Sequence, residues 1–199
     1  MRGKVYRNWE IGWPDTEAGK VAWGLDFGFS SDPCALVECR IFPEAKEVYL
    51  KEHIYSAGLT NSDLAPLIKQ AVPPEDPITA DHAPDRIESL RRAGISIQPA
   101  DKSPGSVEAG IDLMQSFRIF IHPESYNLQK EIRNYRWKVD RKGLQERKPV
   151  KYLDHALDAG RYAIKASELS AYIPIKTQTA KNDFVDPFLP AFGEMNFEI

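Results

Sequence analysis

Asp26, Asp81, Asp154 and Asp158 are the residues of this 199-residue chain whose type and spacing best suit chemistry. Asp26 ends the apolar run VAWGLDFG and Asp81 ends PITAD. Strand ends in α/β sheets are where sites form. Asp154 and Asp158 stand four apart in a helical stretch and share a face with Arg161 and Lys165, while His155 lies on a neighbouring line. Carboxylates that converge without partners repel one another unless hard cations neutralise them. An oxygen-rich set of this kind suits Mg²⁺ or Mn²⁺. Such ions commonly work as a pair about 3.5–4 Å apart that activates a water and stabilises the leaving oxygen in phosphodiester cleavage. Each residue also has an ordinary use. Asp26 with Phe27 and Gly28 begins a turn, Asp81 or Asp85 caps the helix near Pro84, Asp154 caps the last helix, Asp158 pairs with Arg161 on a surface, and His155 packs.

The elements that must position these residues follow from periodicity. Residues 21–28, 34–42 and 46–55 read as three strands of an antiparallel meander, the last two joined by the short turn Pro43–Ala45. Thr60 with Asp63 forms a capping box opening a helix to Ala71, which the Pro73, Pro74 and Pro77 cluster stops. Strands at 77–81, 95–100 and 118–122 then alternate with helices at 85–93, 106–117 and 123–135. A two-stranded ribbon is expected at 137–139 and 144–150, around the turn 141–143, and a final helix at 152–166. Three antiparallel strands followed by alternating helices and strands argue a mixed sheet flanked by helices, an RNase H-like α/β layout. The RNase H-like unit is expected at 21–168. Residues 1–20 are expected as an arm or linker remnant and 169–199 as an irregular tail.

The composition, 42% hydrophobic and 28% charged, is that of a folded globular chain. No run reaches the roughly 18 apolar residues of a membrane helix, and the first twenty residues hold no signal-peptide core. A membrane or secreted protein is therefore not expected. Cys34 and Cys39, five apart in one strand, should point to opposite faces and stay reduced. The net charge is −3, yet residues 128–151 hold nine basic and three acidic side chains, a local +6 that leaves −9 for the remainder. With Tyr135 and Trp137 inside it, this block suits a phosphate backbone, through counterion release and stacking, or else a solvated helix and hairpin.

Four stretches in series, GLDFGFSSDPCALV, ITADHAPDRIESLRRAGISIQPADKSPGSVEAGIDLM, LQKEIRNYRWKVDRKG and YLDHALDAGRYAI, closely resemble the C-terminal nuclease domain of the large terminase subunit of tailed bacteriophages. The resemblance covers about residues 3–166. It implies an RNase H-like fold that cuts concatemeric viral double-stranded DNA at the start and end of genome packaging, with two divalent metals, Mg²⁺ or Mn²⁺. It implies that Asp26, Asp81 and Asp158 are the catalytic, metal-binding carboxylates, with His155 an accessory ligand or orienting group and Asp154 a weaker candidate. Lys102 matches a basic position that contacts phosphate; by itself it reads as a solvated lysine. The ribbon resembles the family's β-hairpin beside the active site, so Lys138, Arg141, Lys142, Arg147 and Lys148 are its expected DNA contacts. Small terminase subunit, portal and ATPase motor are the implied partners, in the cytoplasm of an infected bacterial host. No G-x-x-x-x-G-K-[ST] stretch occurs, so Met1 is expected to begin an excised domain without ATP-driven translocation.

The expected mechanism places one ion between Asp26 and Asp158 and a second between Asp26 and Asp81. The basic ribbon holds backbone without reading base edges, which makes sequence preference weak and affinity steeply salt dependent. Three other readings stay open. GLDFGFSSDP also looks like the phosphate turn of actin-like and sugar-kinase ATPases, which are about twice this length. A non-catalytic module docking DNA or portal would use the acids as caps and ion pairs. A resolvase or transposase of the same fold would prefer branched DNA.

Overall fold

In the computed structural model, which describes residues 3–28 and 32–172, a seven-stranded sheet has helices on both faces. Its middle is the expected meander. β2 (Lys20–Asp26), β3 (Pro33–Phe42) and β4 (Glu47–Ala57) pair antiparallel in chain order, with a bulge between Leu36 and Val37. After α1 (Asn61–Ala71), β5 (Ile78–Ala80) pairs parallel to β2. α2 (Pro84–Arg92) then leads to β6 (Ile97–Pro99), parallel to β5 at the sheet edge. Beyond α3 (Ser106–Gln115) the chain returns to the other side as β7 (Arg118–Ile121), parallel to β4. α4 (Tyr126–Asn134), a separate ribbon of β8 (Trp137–Val139) and β9 (Gln145–Pro149), and α5 (His155–Tyr172) follow.

Local chemistry accounts for several of these boundaries. Thr60 and Asp63 form the expected reciprocal capping box at the start of α1. The ribbon turns on Asp140, whose carboxylate accepts from the Lys142 and Leu144 amides, with Gly143 at φ 79°. Two apolar clusters sandwich the sheet. Ala35, Val37, Cys39, Val48 and Leu50 face α3, α4 and α5, whereas Leu25, Cys34, Leu36 and Ile78 face α1 and α2. The two cysteines are free, buried and on opposite faces, as their spacing requires.

Three differences from the sequence reading are physical. Residues 1–20 were expected as an arm, but Trp9–Ile11 forms β1, parallel to β7 at the sheet edge. Val5 and Tyr6 are buried in the core, the Tyr6 ring stacked 5.8 Å from Tyr135. Their partners lie more than a hundred residues away, so local periodicity carries no trace of the pairing. α5 begins three residues later than expected, because Leu153 adopts φ 51° ahead of it. It also continues past 166 to Tyr172, a run without proline or glycine. Residues 173–199, most of the expected tail, lie outside the described residues. Among the described residues no helix is long and apolar enough to cross a membrane.

Candidate functional site

Sheet order brings the two strand-end acids together. β2 and β5 are parallel neighbours, with Leu25 in register with Ala80, and the Asp81 amide donates to the Leu25 carbonyl at 2.8 Å. Asp26 and Asp81 therefore emerge from the same end of the sheet. α5 crosses β2 and β3 on the face that carries Val37 and Cys39, because Gly24 lets its backbone settle onto the strand. That crossing lowers the first turn of the helix, with His155 and Asp158, over the two aspartates. Asp26, Asp81, Asp154, His155, Asp158 and Lys102 all line one cleft of about 680 Å³. Of the expected site residues, the hairpin cations alone stand apart from it.

Asp26, Asp81 and Asp158 each have a cationic partner from the chain itself, and of these pairs the sequence reading weighed the one between Asp158 and Arg161. His155 Nδ1 lies 2.8 Å from Asp26 Oδ2. Lys102 Nζ lies 2.5 Å from Asp81 Oδ1, donates to the Tyr162 hydroxyl at 2.7 Å, and sits 4.7 Å from the centre of that ring. Arg161 Nη2 lies 2.8 Å from Asp158 Oδ1. The Asp158–Arg161 pair, expected as a surface ion pair, is not one: the Arg161 side chain is 3% exposed. Its stem fills the space left by Gly110 on α3, where an added Cβ would come within 2.6 Å of Arg161 Cγ.

These contacts set the electrostatics. Burial, followed by the nearby charges of Asp158 and Asp81, pushes the Asp26 carboxyl above its ordinary value against the pull of His155. Burial also acts upward on Asp81, but hydrogen bonds from Lys102, the His82 amide and Tyr162, with the Lys102 charge, hold it below the usual carboxylate range. Asp154 is raised to about 6 by burial and by the charge of Asp158. The Asp26 carboxylate raises His155.

The donors suit a hard dication in kind, being carboxylate oxygens with one imidazole at the margin, and the mutual repulsion felt at Asp26 is the kind a dication relieves. They are not gathered into a ready cage. Among the described residues no group of three or more His, Cys, Asp or Glu side chains is arranged to hold a metal. The premise that these acids converge without partners is corrected, since Lys102, Arg161 and His155 pair with Asp81, Asp158 and Asp26.

Three contributors escaped the sequence reading. Arg86 on α2 donates to the carbonyls of Phe27 and Leu59 at 3.0 and 3.2 Å and to Asn61 Oδ1 at 2.9 Å, fixing the backbone just past Asp26. Tyr162 bonds Lys102 and Asp81 from the next turn of α5. Glu131, counted among the few acids of the basic block, is 1% exposed and bonds the Leu157 amide. The hairpin cations Lys138, Arg141, Lys142, Arg147 and Lys148 are all exposed. Arg147 is tied to Asp112 on α3 by a short ion pair, and Lys151 and Tyr152, just past β9, form part of the cleft wall.

A family model described as Terminase RNAseH like domain matches residues 26–166. The chain is 27% identical over 149 residues to the PBSX phage terminase large subunit of Bacillus subtilis, covering 74% of this chain and 34% of that protein. It thus spans about a third of that relative's length. Among solved structures it resembles the g2p large terminase nuclease domain of bacteriophage SPP1 with bound Mn, at TM-score 0.72 and 26% identity, covering 80% of this chain and 97% of that one. It also shares its fold with the large terminase nuclease of thermophilic phage G20c with bound magnesium. There the TM-score is 0.60 and the identity 17%, over 83% of this chain and 98% of that one.

Proposed function

The chain belongs to the terminase RNase H-like domain family, and from that premise we propose that it is a divalent-metal-dependent endonuclease that cuts double-stranded viral DNA when genome packaging begins and ends. The observation that carries this reading is the convergence of Asp26, Asp81 and Asp158 from β2, the end of β5 and α5 on one cleft. The ions bound by the SPP1 and G20c nuclease domains support the choice of Mn²⁺ or Mg²⁺. Asp26, Asp81 and Asp158 would hold the pair, with Asp154 and His155 beside them. When bound, such ions lower the pKa of a water and stabilise a departing 3′ oxygen.

The chain's own residues supply the rest. His155 orients the Asp26 carboxylate, Arg161 fixes Asp158, and Lys102 stands at Asp81 within reach of an incoming phosphate. Lys138, Arg141, Lys142 and Lys148, exposed on the ribbon, would grip DNA backbone without reading sequence, with Arg147 steadying the ribbon on α3. Selection of a cutting site then falls to partners, for which we propose the small terminase subunit, the portal and an ATPase motor, in the host cytoplasm.

Plasmid nicking with Mn²⁺, Mg²⁺ or a chelator tests the reading. The parent should cut only with metal, and Asp26→Asn, Asp81→Asn and Asp158→Asn should each lose at least about 100-fold in rate. Intact plasmid under every metal would favour a docking module, which the internal ion pairs would suit. Preference for branched over linear duplex would favour a resolvase.

A further inference from the structure

We infer that Glu131 is a positioning residue for the acid-bearing first turn of α5, which it caps from the neighbouring helix. A helix start leaves its first amides without partners inside the helix, and a flanking side chain normally accepts from one of them. At α5 the residue in that place is Asp154, whose backbone carbonyl accepts the Asp158 amide at 2.7 Å. The side chain that takes an amide of the first turn comes instead from α4. Glu131 Oε2 accepts the buried Leu157 N–H at 2.9 Å, and Oε1 accepts the Tyr55 hydroxyl of β4 at 2.9 Å.

One carboxylate therefore ties α4, the central sheet and α5 at the peptide that lies between His155 and Asp158. It is 1% exposed, and it is held by backbone amides and a hydroxyl, with no lysine or arginine among the described residues bonded to it. Burying a carboxylate on such terms costs more than burying an apolar side chain of its size. What it supplies in return is direction. The chain enters α5 through Leu153 at φ 51°, a conformation that β-carbon residues resist, so the first turn needs an anchor beyond its own sequence. Mutation of groups that orient metal ligands typically costs about 10–100-fold in affinity.

This role rests on the reading of Asp158 and Asp26 as metal ligands, and the test separates the two. Glu131→Gln keeps an oxygen for the Leu157 amide, and its NH₂ can donate to the Tyr55 hydroxyl; Glu131→Leu fills the space without an acceptor. In the full chain without metal, amide exchange at Leu157 relative to Ile164 should rise about tenfold in the leucine variant and stay near the parent in the glutamine variant. Mn²⁺ titration by calorimetry should show about tenfold weaker binding for leucine and rescue by glutamine. Unchanged Leu157 exchange and unchanged Mn²⁺ affinity in the leucine variant would overturn the inference. A parent that binds no Mn²⁺ would sink the metal reading alone, leaving the exchange ratio to decide the cap. If the leucine variant does not fold, Tyr55→Phe, which frees one side of Glu131, should quicken Leu157 exchange by about threefold, and no change there would overturn it equally.

Discussion

Gly24→Ala should damage this protein out of proportion to one methyl group, because Gly24 is where α5 rests on β2. A Cβ at that position would fall 1.8 Å from the Ala159 carbonyl oxygen, 2.6 Å from its carbon and 3.2 Å from Ala163 Cβ. The obstruction is helix backbone rather than the end of a flexible side chain, so α5 must retreat by roughly 1 Å or more. Overpacking of this kind costs about 1–3 kcal/mol, and a backbone clash belongs at or above the top of that range. The same retreat withdraws His155 and Asp158 from Asp26, and a misplacement of about 1 Å can cost about 100-fold in rate. Gly160→Ala, on the same helix, is the control. Its nearest neighbour would be Leu50 Cδ2 at 3.6 Å, ordinary contact, so the gain in helix propensity of about 0.5–1 kcal/mol should prevail. Urea unfolding of both variants, with plasmid nicking alongside, reads the contrast. A Gly24→Ala protein within about 0.5 kcal/mol of the parent, or a Gly160→Ala protein less stable than it, would refute the packing argument.

Two further outcomes follow from the cleft's electrostatics. Because Lys102, Arg161 and His155 already pair with Asp81, Asp158 and Asp26, a chelator should leave the chain as purified folded, lowering its melting temperature no further than that of the chain prepared without metal, while added Mn²⁺ raises it according to its affinity; unfolding on chelation would show that the balance is wrong. Asp154 titrates at about 6 in the fold, above an unfolded value near 4. A raised carboxyl favours the fold below the unfolded value and loses that contribution as pH climbs through about 6. Asp154→Asn, which cannot ionise, should match the parent at pH 4 and exceed it by on the order of 1–2 kcal/mol at pH 8 in chelator, once partial exposure is allowed for. Parallel stability curves for the two proteins across that range would contradict this.

What the sequence makes legible here is local. The α1 cap is written in Thr60 and Asp63, the meander in period-two runs, and the site acids in their positions at the ends of apolar strands. What it hides is decided by distant partners. Arg161 three residues after Asp158 looks like a surface pair until Gly110 on another helix clears room for its stem and buries it. Glu131 looks like dilution of a basic block until the Leu157 amide turns towards it. Trp9–Ile11 has no visible period because a three-residue edge strand is too short to show one, and its partner is β7. The sequence premise that the acids lack partners failed for the same reason, since Lys102 meets Asp81 only once β6 and α5 are in place.

The three internal cations differ in how easily they can be removed, and that difference orders the acids. Lys102 and Asp81 are 41% and 34% exposed at their side chains, and a pair open to solvent to that degree is worth about 0–1 kcal/mol. Arg161 is 3% exposed, and opening its pair would strand a buried guanidinium at a cost of about 3–5 kcal/mol. His155 at 18% lies between them. Of the three paired acids, Asp81 would therefore be the easiest for an incoming cation to claim, by displacing a lysine that water readily receives. At Asp158 it must share an acid whose arginine stays. If the proposed ions bind, Asp158 would have to serve them while Arg161 keeps its Oδ1, and the buried pair would act as a fixed mount for the carboxylate.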